Sequence, residues 1–258
     1  MATLDGRAVT PAELQTLALT NYGHFTTMRA ESGRVRGLEL HLERLVRDCR
    51  VVFDAELDAD RVRELVRAAL PETDEALAVR VTVLDPAIEI GKMGLAAEPK
   101  VLVTARPSGA LSGPALAARS RLFARDLPEV KSVGLFGALH QRRLAMLEGY
   151  GDALFVDAAG VVSEGGTWNV GFVRGEETVW PDAPSLPGTA MALLKGLRPS
   201  VTEQVTLGQL GSFDAAFATN AVVGVRPIAR IDETALRADH PVLGELLAAF
   251  RDLPGDLL

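Results

Sequence analysis

Cysteine is almost missing from this sequence, since Cys49 is the only one among 258 residues. A disulfide framework within one chain is therefore excluded. Cys49 lies on the apolar face of a predicted helix, so we interpret it as a core residue rather than a nucleophile. No stretch has the roughly 20 consecutive apolar residues that a membrane-spanning helix needs. Because residues 1–7 also lack the pattern of a secretion signal, we expect a soluble, cytoplasmic protein.

Clusters of positive charge and of metal ligands are missing too. The formal net charge is -7 at pH 7, and no basic stripe with interleaved aromatic residues occurs, which argues against nucleic acid as the main partner. The four histidines, His24, His41, His140 and His240, are scattered, so no metal site is expected. Serine, histidine and aspartate do not show the spacing of a hydrolase triad.

Lysine is scarce, because only Lys92, Lys100, Lys131 and Lys195 occur among 27 basic residues, the others being arginine. A lysine amine can form a Schiff base with an aldehyde, whereas a guanidinium stays charged and cannot. Lys131 alone is flanked by apolar residues, which lower the pKa of an amine by removing water from it. Lys131 is therefore a candidate catalytic residue; the alternative is a surface lysine where a loop joins a helix.

The apolar pattern predicts a mixed α and β fold, of the α+β class, with two domains. Residues 107–114, Pro-Ser-Gly-Ala-Leu-Ser-Gly-Pro, are dense in residues that interrupt regular structure. We place the boundary there, with a smaller N-terminal domain of residues 1–110. The C-terminal domain of residues 111–258 would carry Lys131.

Capping residues and the spacing of apolar residues predict the individual elements. In the N-terminal half these are helices over 11–19, 38–49 and 58–70, a hairpin over 23–36, and strands over 77–84 and 100–105. In the C-terminal half they are strands over 117–125, 153–157, 161–164, 169–173, 178–180, 201–206, 215–219 and 226–231, and helices over 132–148, 189–194 and 241–251.

Two places could bind an anion such as a phosphate group. Gly188 and Thr189 begin a predicted helix, where backbone N–H groups lack partners, although many ordinary helices begin in the same way. Arg44 borders an apolar stripe, where an unpaired guanidinium would be costly. The alternative for Arg44 is an exposed or salt-bridged residue of the helix surface.

Several polar residues stand at the ends of buried strands. Glu164 follows a strand of valines, so it is either solvated in a turn or paired with a protonated ring nitrogen. Asn169 is either a turn residue or a ligand to a ring substituent. Thr219 and Asn220 end another buried strand, where a hydroxyl and backbone amides could face an anion.

Six motifs, in this order, resemble the pyridoxal-phosphate enzymes of fold type IV. They are Gly23-His-Phe-Thr-Thr-Met-Arg29, His41-Leu-Glu-Arg44-Leu45, Lys131, Gly160-Val-Val-Ser-Glu164 with Asn169, Leu186-Pro-Gly188, and Thr219-Asn-Ala-Val-Val-Gly-Val-Arg-Pro227. The family includes the class IV aminotransferases, of branched-chain and D-amino-acid types, and aminodeoxychorismate lyase. The resemblance covers residues 23–231.

The resemblance implies a two-domain fold, like that of D-amino-acid aminotransferase, a homodimer, and pyridoxal 5′-phosphate (PLP) as cofactor. Lys131 would form the Schiff base and then act as general base and acid. Glu164 would keep the pyridine nitrogen protonated. The residues implied in cofactor binding are Arg44, Lys131, Glu164, Asn169, Gly188, Thr189, Thr219 and Asn220, and those implied near the substrate are Phe25, Thr27, Arg29 and Trp168.

This sequence departs from the family pattern at two places. Where many members have Gly-Ile-Thr-Arg in the phosphate loop, this chain has Gly188-Thr-Ala-Met191, so the usual threonine hydroxyl is missing at Ala190. Phe25 replaces the active-site tyrosine of D-amino-acid enzymes, which argues against that type.

Three functions follow from the resemblance. The first is transamination between an amino acid and a 2-oxo acid. The second is aminodeoxychorismate lyase activity, which forms 4-aminobenzoate and pyruvate. The sequence shows no dedicated arginine for the second carboxylate of its substrate, although Arg29, Arg106 and Arg226 are candidates. The third, suggested by Ala190 and Met191, is a non-catalytic family member.

Overall fold

A computed structural model describes residues 2–258 and divides them into two compact units. The first unit contains residues 2–109, 130–134 and 254–258, and the second contains residues 110–129 and 135–253. The chain passes from one unit to the other beside the predicted boundary at residue 110. The predicted C-terminal domain included Lys131, whereas Val130–Gly134 packs within the first unit.

The elements follow one another along the chain with these bounds. The helices are α1 (Pro11–Thr20), α2 (Leu38–Phe53), α3 (Ala59–Ala69), α4 (Phe136–Leu147), α5 (Thr189–Lys195) and α6 (Pro241–Asp252), with short 3-10 helices at Ile90–Lys92 and Leu207–Ser212. The strands are β1 (Ala2–Leu4), β2 (Arg7–Ala8), β3 (His24–Glu31), β4 (Arg34–Val35), β5 (Leu77–Leu84), β6 (Lys100–Pro107), β7 (Leu116–Leu122), β8 (Asp152–Val156), β9 (Val162–Gly165), β10 (Asn169–Arg174), β11 (Glu177–Pro181), β12 (Ser200–Glu203), β13 (Ala215–Asn220), β14 (Gly224–Ile231), β15 (Thr234–Ala235) and β16 (Asp256–Leu257). Within residues 2–258, none of the helices combines the length and apolar character needed to cross a bilayer.

The first unit is a seven-stranded sheet covered by helices. Its strand order is β16-β4-β3-β5-β6-β1-β2. Met28 and Ala30 of β3 share a buried core with Leu42 and Leu45 of α2. Because side chains of a strand alternate between the two faces, the odd-numbered residues of β3 lie on the opposite face from this core. That face carries Phe25, one of the candidate substrate residues.

The second unit is a nine-stranded sheet with the order β12-β11-β10-β13-β14-β7-β8-β9, in which β15 pairs with β14. One buried cluster contains Phe172 of β10. A second cluster joins Phe217 of β13 to Leu194 of α5 and Phe250 of α6. The sheet therefore supports α5 and α6, and with them the turn at which α5 begins.

Two helix starts form as the capping residues predict. Thr10 and Glu13 make a reciprocal capping box at the start of α1. The Asp58 carboxylate accepts hydrogen bonds from the N–H groups of Asp60 and Arg61 at the start of α3. Each cap satisfies backbone donors that a helix start leaves without partners.

The helix predicted over residues 132–148 is wrong at its start, since α4 begins only at Phe136. Ser132 pairs with His24 in an isolated β-bridge, and the Val133 N–H donates to the Gly23 carbonyl. Pairing with β3 thus replaces the first helical turn, because it satisfies the backbone of this segment. Two predicted strands are shorter than expected: 117–125 ends at Leu122, and 201–206 becomes Ser200–Glu203.

Candidate functional site

Lys131 lies in an extended segment of the first unit, alongside β3. Its carbonyl accepts a hydrogen bond from the Phe25 N–H at 2.9 Å. Its Nζ is 4.9 Å from the centre of the Phe25 ring. The side chain before it, Val130, is buried. Lys131 therefore has a defined backbone position with an aromatic ring beside its amine, and not the loop-to-helix position of the alternative interpretation.

Arg44, His41 and Thr26 form a buried hydrogen-bonded chain in the first unit. Arg44 donates to the Thr26 hydroxyl oxygen, and the same hydroxyl lies 2.7 Å from His41 Nδ1. Burial, with the positive charges of Arg44 and Lys131 nearby, lowers the pKa of His41 well below its ordinary value. Neutral His41 can then accept the Thr26 proton at Nδ1. This chain orients Arg44 and leaves its Nε without a hydrogen-bond partner among residues 2–258.

Arg44 is therefore neither exposed nor salt-bridged on the helix surface. Only 6% of it is exposed. Burial lowers its pKa to about 10, although the Asp48 carboxylate acts in the opposite direction. The guanidinium thus stays charged at neutral pH while one of its N–H groups has no partner, which suits an anionic ligand.

Phe25 lies next to a second cation, which the sequence analysis did not identify. The Arg80 guanidinium carbon is 3.6 Å from the centre of the Phe25 ring. Arg80 Nε donates to the Thr82 hydroxyl, and its two terminal nitrogens have no hydrogen-bond acceptor within the described chain. Burial lowers the pKa of Arg80, so an anion near it would be stabilising. The signal that could have found Arg80 is a charged residue inside the apolar strand β5.

Thr27 and Arg29 lie on the same face of β3 as Phe25, since they follow it at intervals of two. Thr27 is directly opposite Arg80 in the β3–β5 pair. Arg29 is buried and engaged: it donates to Glu31, to the Ser108 hydroxyl and to the Gly109 carbonyl. Thr27 therefore lies near Phe25 and Arg80, whereas Arg29 anchors the chain after β6.

Glu164 lies in β9 of the second unit and is paired with an arginine. Its side chain is buried, and its Oε1 accepts a hydrogen bond from Arg125 Nε. The sequence analysis did not identify Arg125, which follows β7 outside any regular element. A buried carboxylate with a charged donor remains ionised more readily than an unpaired one. The structure thus favours a buried ion pair over a solvated turn residue for Glu164.

Asn169 and Gly188 pack against each other at the start of α5. Asn169 Nδ2 donates to the Leu186 carbonyl at 2.8 Å. A Cβ atom on Gly188 would lie 1.9 Å from Asn169 Oδ1. Only glycine therefore fits at position 188 with Asn169 in this orientation. The Asn169 side chain holds the chain that leads into α5, whose first residue, Thr189, is buried.

Thr219 and Asn220 end β13 in different environments. The Thr219 hydroxyl is buried and has no hydrogen-bond partner among residues 2–258. The Asn220 side chain is used within its turn, because its Oδ1 accepts the N–H groups of Val222 and Val223. Thr219 thus retains a donor for an added group, whereas Asn220 shapes the turn before β14.

Trp168 and Ala190 lie in the cores of the second unit. Trp168 is buried in the main apolar cluster, and a Cβ atom on Gly165 would lie 2.0 Å from its ring. Trp168 therefore packs as a core residue of the second unit, whereas the resemblance implied a position near the substrate. Ala190 packs with α6 residues in the other cluster, so a small apolar side chain is suited to this position.

Histidine, cysteine, aspartate and glutamate do not gather into a group that could bind a metal ion anywhere in residues 2–258. Cys49 is buried, as predicted, and burial raises the pKa of its thiol to about 11. A thiol with such a pKa is protonated at neutral pH and is a poor nucleophile.

Comparisons with known proteins are in line with this fold. The family model described as amino-transferase class IV matches residues 23–231. A comparison with curated proteins gives no match. The solved structure of a branched-chain aminotransferase from Thermoproteus uzoniensis is 24% identical, with a TM-score of 0.83 over 97% of this chain and 93% of that one. A hypothetical aminotransferase from Mycobacterium tuberculosis, in a PLP-bound form, is 20% identical, with a TM-score of 0.84 over 97% of this chain and 98% of that one.

A branched-chain aminotransferase from Escherichia coli is 18% identical, with a TM-score of 0.84 over 98% of this chain and 93% of that one. These similarities confirm the predicted mixed α/β fold of type IV. The family model covers 209 of the 258 residues, as 231 minus 22. The chain therefore belongs to the class IV aminotransferase family.

Proposed function

We propose that the chain is an enzyme that uses PLP to transfer an amino group between an amino acid and a 2-oxo acid. The observation that carries this proposal is the family match over residues 23–231, which includes Lys131 and every residue that we assign to the cofactor. The similar protein from Mycobacterium tuberculosis, which is described as PLP-bound, supports the choice of cofactor.

Buried donors without partners in each unit suit a phosphorylated ligand. Among the buried donors without partners are Arg44 Nε in the first unit and the Thr219 hydroxyl in the second. Buried polar groups are usually hydrogen-bonded, and an anionic ligand would satisfy these two donors. As the family resemblance implies, we assign a role in phosphate binding to Arg44 in the first unit. In the second unit we assign it to Thr189 and Thr219, with Gly188 allowing close approach of the backbone. Ala190 removes one hydroxyl from this set, and Asn220 serves by shaping its turn.

When bound, PLP supplies an aldehyde that captures the substrate amine and a ring that accepts electrons from the substrate α-carbon. Lys131 would hold the cofactor through its amine. Freed by the substrate, Lys131 Nζ would take the proton from the α-carbon and later return one. The centre of the Phe25 ring lies 4.9 Å from this amine and would be beside the bound cofactor.

Glu164 would bind the ring nitrogen of the cofactor and stabilise its protonated form. The Arg125 guanidinium, which donates to Glu164 Oε1, keeps the carboxylate in place. Asn169 would act indirectly, because its amide holds Leu186 in the segment that leads to Gly188.

The environment of Arg80 favours a substrate with a second carboxylate, such as a dicarboxylic amino acid or its 2-oxo acid. The Phe25 ring centre lies 3.6 Å from the Arg80 guanidinium carbon and 4.9 Å from Lys131 Nζ. The Arg80 guanidinium and the Lys131 amine therefore lie close enough for one small molecule to contact both. A guanidinium with two unused terminal nitrogens can bind a carboxylate through both of its oxygens.

Purified protein with PLP tests this function through spectra and a peptide map. We expect borohydride reduction to attach PLP to Lys131, and an amino donor to convert the bound cofactor to its pyridoxamine form. A Lys131→Ala variant should give neither result. Protein that stays colourless with excess PLP and gives no reducible lysine adduct would instead be a non-catalytic family member.

Aminodeoxychorismate lyase activity is the second candidate function, and the position of Arg80 supports it. This substrate is a cyclic dicarboxylate, and Arg80 supplies an arginine with unused terminal nitrogens on the Phe25 face. Pyruvate release from aminodeoxychorismate, without spectral conversion by any amino acid, would select the lyase and overturn transamination.

Replacement of Arg80 tests the carboxylate assignment. We expect Arg80→Gln to raise KM for dicarboxylic substrates about tenfold or more, since a charged hydrogen-bonded pair contributes about 1.5–3 kcal/mol. KM for a monocarboxylic amino acid of similar size should change much less. An equal loss for both substrates would show that Arg80 supports Phe25 rather than the substrate.

We also propose that the chain forms a homodimer and is cytoplasmic, as the family resemblance implies. Light scattering on the purified protein would measure twice the chain mass of 27.5 kDa. A single-chain mass over the working concentration range would contradict the dimer.

A further inference from the structure

We infer that Asp48 is a positioning residue for Lys131: its carboxylate binds the backbone of the lysine and thereby sets the direction of its amine. This inference rests on the proposed function, in which Lys131 bonds to PLP.

Asp48 lies in α2 with 0% of its surface exposed. Its Oδ2 accepts the backbone N–H of Lys131 at 3.0 Å. Its Oδ1 accepts two hydrogen bonds from Arg47, at 3.0 and 2.6 Å. A buried carboxylate is costly unless charged or polar donors satisfy it, and here both oxygens have donors.

Lys131 is the residue at which the pairing of its segment with β3 stops. Its carbonyl accepts the Phe25 N–H, but its own N–H donates to Asp48 and not to β3. The backbone carbonyl of Lys131 is thus held by β3 and its backbone N–H by α2. Without Asp48, the Lys131 N–H would lose its acceptor and the segment one of its two attachments.

Asp48 also acts on Arg44, which lies one turn earlier on the same face of α2. Burial lowers the pKa of Arg44, and the Asp48 carboxylate opposes that effect. The same carboxylate therefore favours the charged form of Arg44 and accepts the backbone N–H of Lys131 beside α2. Under the proposed function, these residues bind the phosphate and the aldehyde of one cofactor, so their separation must match its length.

Two variants of similar shape separate positioning from folding. Asp48→Asn keeps an oxygen that can accept the Lys131 N–H, whereas Asp48→Leu removes every acceptor. We expect Asp48→Leu to slow formation of the lysine adduct with PLP about tenfold or more, as a misplaced reacting group does. We expect Asp48→Asn to remain within about threefold of the unchanged protein, because its amide oxygen can still accept the Lys131 N–H.

The affinity for pyridoxamine 5′-phosphate distinguishes positioning from a general structural defect, because such a defect would weaken this affinity as well. This compound has the phosphate but no aldehyde, so its affinity reports phosphate binding without bonding to Lys131. The proposal requires its Kd in Asp48→Leu to change several times less than the rate of adduct formation. An equal change in both quantities would assign Asp48 a merely structural role and overturn the inference.

Asp85 offers a matched control in the same unit. Its carboxylate is buried and accepts the N–H groups of Ala87 and Glu98, but it does not bind Lys131. Asp85→Leu should lower the thermal stability without the selective loss of adduct formation. The same selective loss in this variant would contradict the role of Asp48.

Hydrogen exchange keeps the test decisive even if Asp48→Leu does not fold. The Lys131 amide should exchange slowly in the unchanged protein and in Asp48→Asn, and exchange at the rate of an unprotected amide would overturn the inference. Failure of the unchanged protein to form any adduct at Lys131 would instead overturn the proposed function. Normal adduct formation in folded Asp48→Leu would overturn only the positioning role.

Discussion

His24 shows how burial of a single residue adds pH dependence to the first unit. It has 0% exposed surface, and its two ring nitrogens have no hydrogen-bond partner among residues 2–258. Burial lowers its pKa from 6.5 to about 3. His24 therefore stays neutral in the folded protein at pH values where the unfolded chain already binds a proton.

This difference predicts a stability that falls with acidity. Between pH 6.5 and about 3 the unfolded state binds more protons at His24, so the free energy of unfolding decreases as the pH falls through this window. The slope should reach about 1.4 kcal/mol per pH unit for this one group. We expect His24→Gln to remove that part of the slope in urea unfolding measured at several pH values. His140→Gln, the same replacement at an exposed histidine, supplies the control.

Most of the chemistry of the site depends on contacts between residues that are distant in sequence. Lys131, Arg44 and Glu164 could be selected from composition and order, because each stands out against its neighbours in sequence. Asp48, Arg80 and Arg125 could not, because their importance depends on Lys131, Phe25 and Glu164, which are distant in sequence. The backbone folds these pairs together, and no local pattern records such a contact.

Among the elements, the start of α5 depends most closely on one side chain elsewhere. Gly188 precedes the helix, and Asn169 of β10 occupies the space next to its Cα. In sequence, the start of α5 resembles that of an ordinary helix, but the sequence does not show how tightly this start is packed.

A methyl group at position 188 should have a large effect. We expect Gly188→Ala to lower stability by about 1–3 kcal/mol, because its Cβ would overlap Asn169 Oδ1, and to weaken PLP binding. Thermal unfolding and PLP titration measure the two effects. Adding Asn169→Gly should recover part of the stability, which a double-mutant cycle would quantify. Gly244 is the matched control, because a Cβ atom on it would have no neighbour among residues 2–258 within 4 Å beyond its adjacent residues and the backbone of α6. Gly244→Ala should therefore not lower the stability of the protein.

For the molecule as a whole, distant parts of the chain complete the first unit. Residues 254–258 return to it after the second unit is finished. Asp256 of β16 pairs with Val35 of β4, and its carboxylate accepts the N–H of Leu38 at the start of α2. Leu258 is buried in the core that contains Leu42 and Leu45. The helix that carries Arg44 and Asp48 is therefore stabilised by the end of the described chain.

Two neighbouring leucines test this contribution. Leu258 is 5% exposed and Leu257 is 63% exposed. We expect Leu258→Ala to lower the stability of the first unit by about 2–3 kcal/mol, whereas Leu257→Ala should change it by less than about 0.5 kcal/mol. Hydrogen exchange of α2 peptides would measure both. Equal protection of α2 in the two variants would contradict a stabilising role for the end of the chain.

The sequence by itself determined the class of elements, most of their bounds and the candidate lysine, because apolar periodicity, caps and a rare residue type are local signals. Tertiary structure alone decided that Ser132 and Val133 pair with β3 and do not begin α4, and that Lys131 belongs to the first unit. It also decided which donors meet the buried carboxylates, since Asp48 with the Lys131 backbone N–H and Glu164 with Arg125 are joined by contacts across 83 and 39 positions of the chain. The physical reason is that a helix or strand forms from neighbouring residues, whereas a buried charge is stabilised only by the partner that folding brings to it.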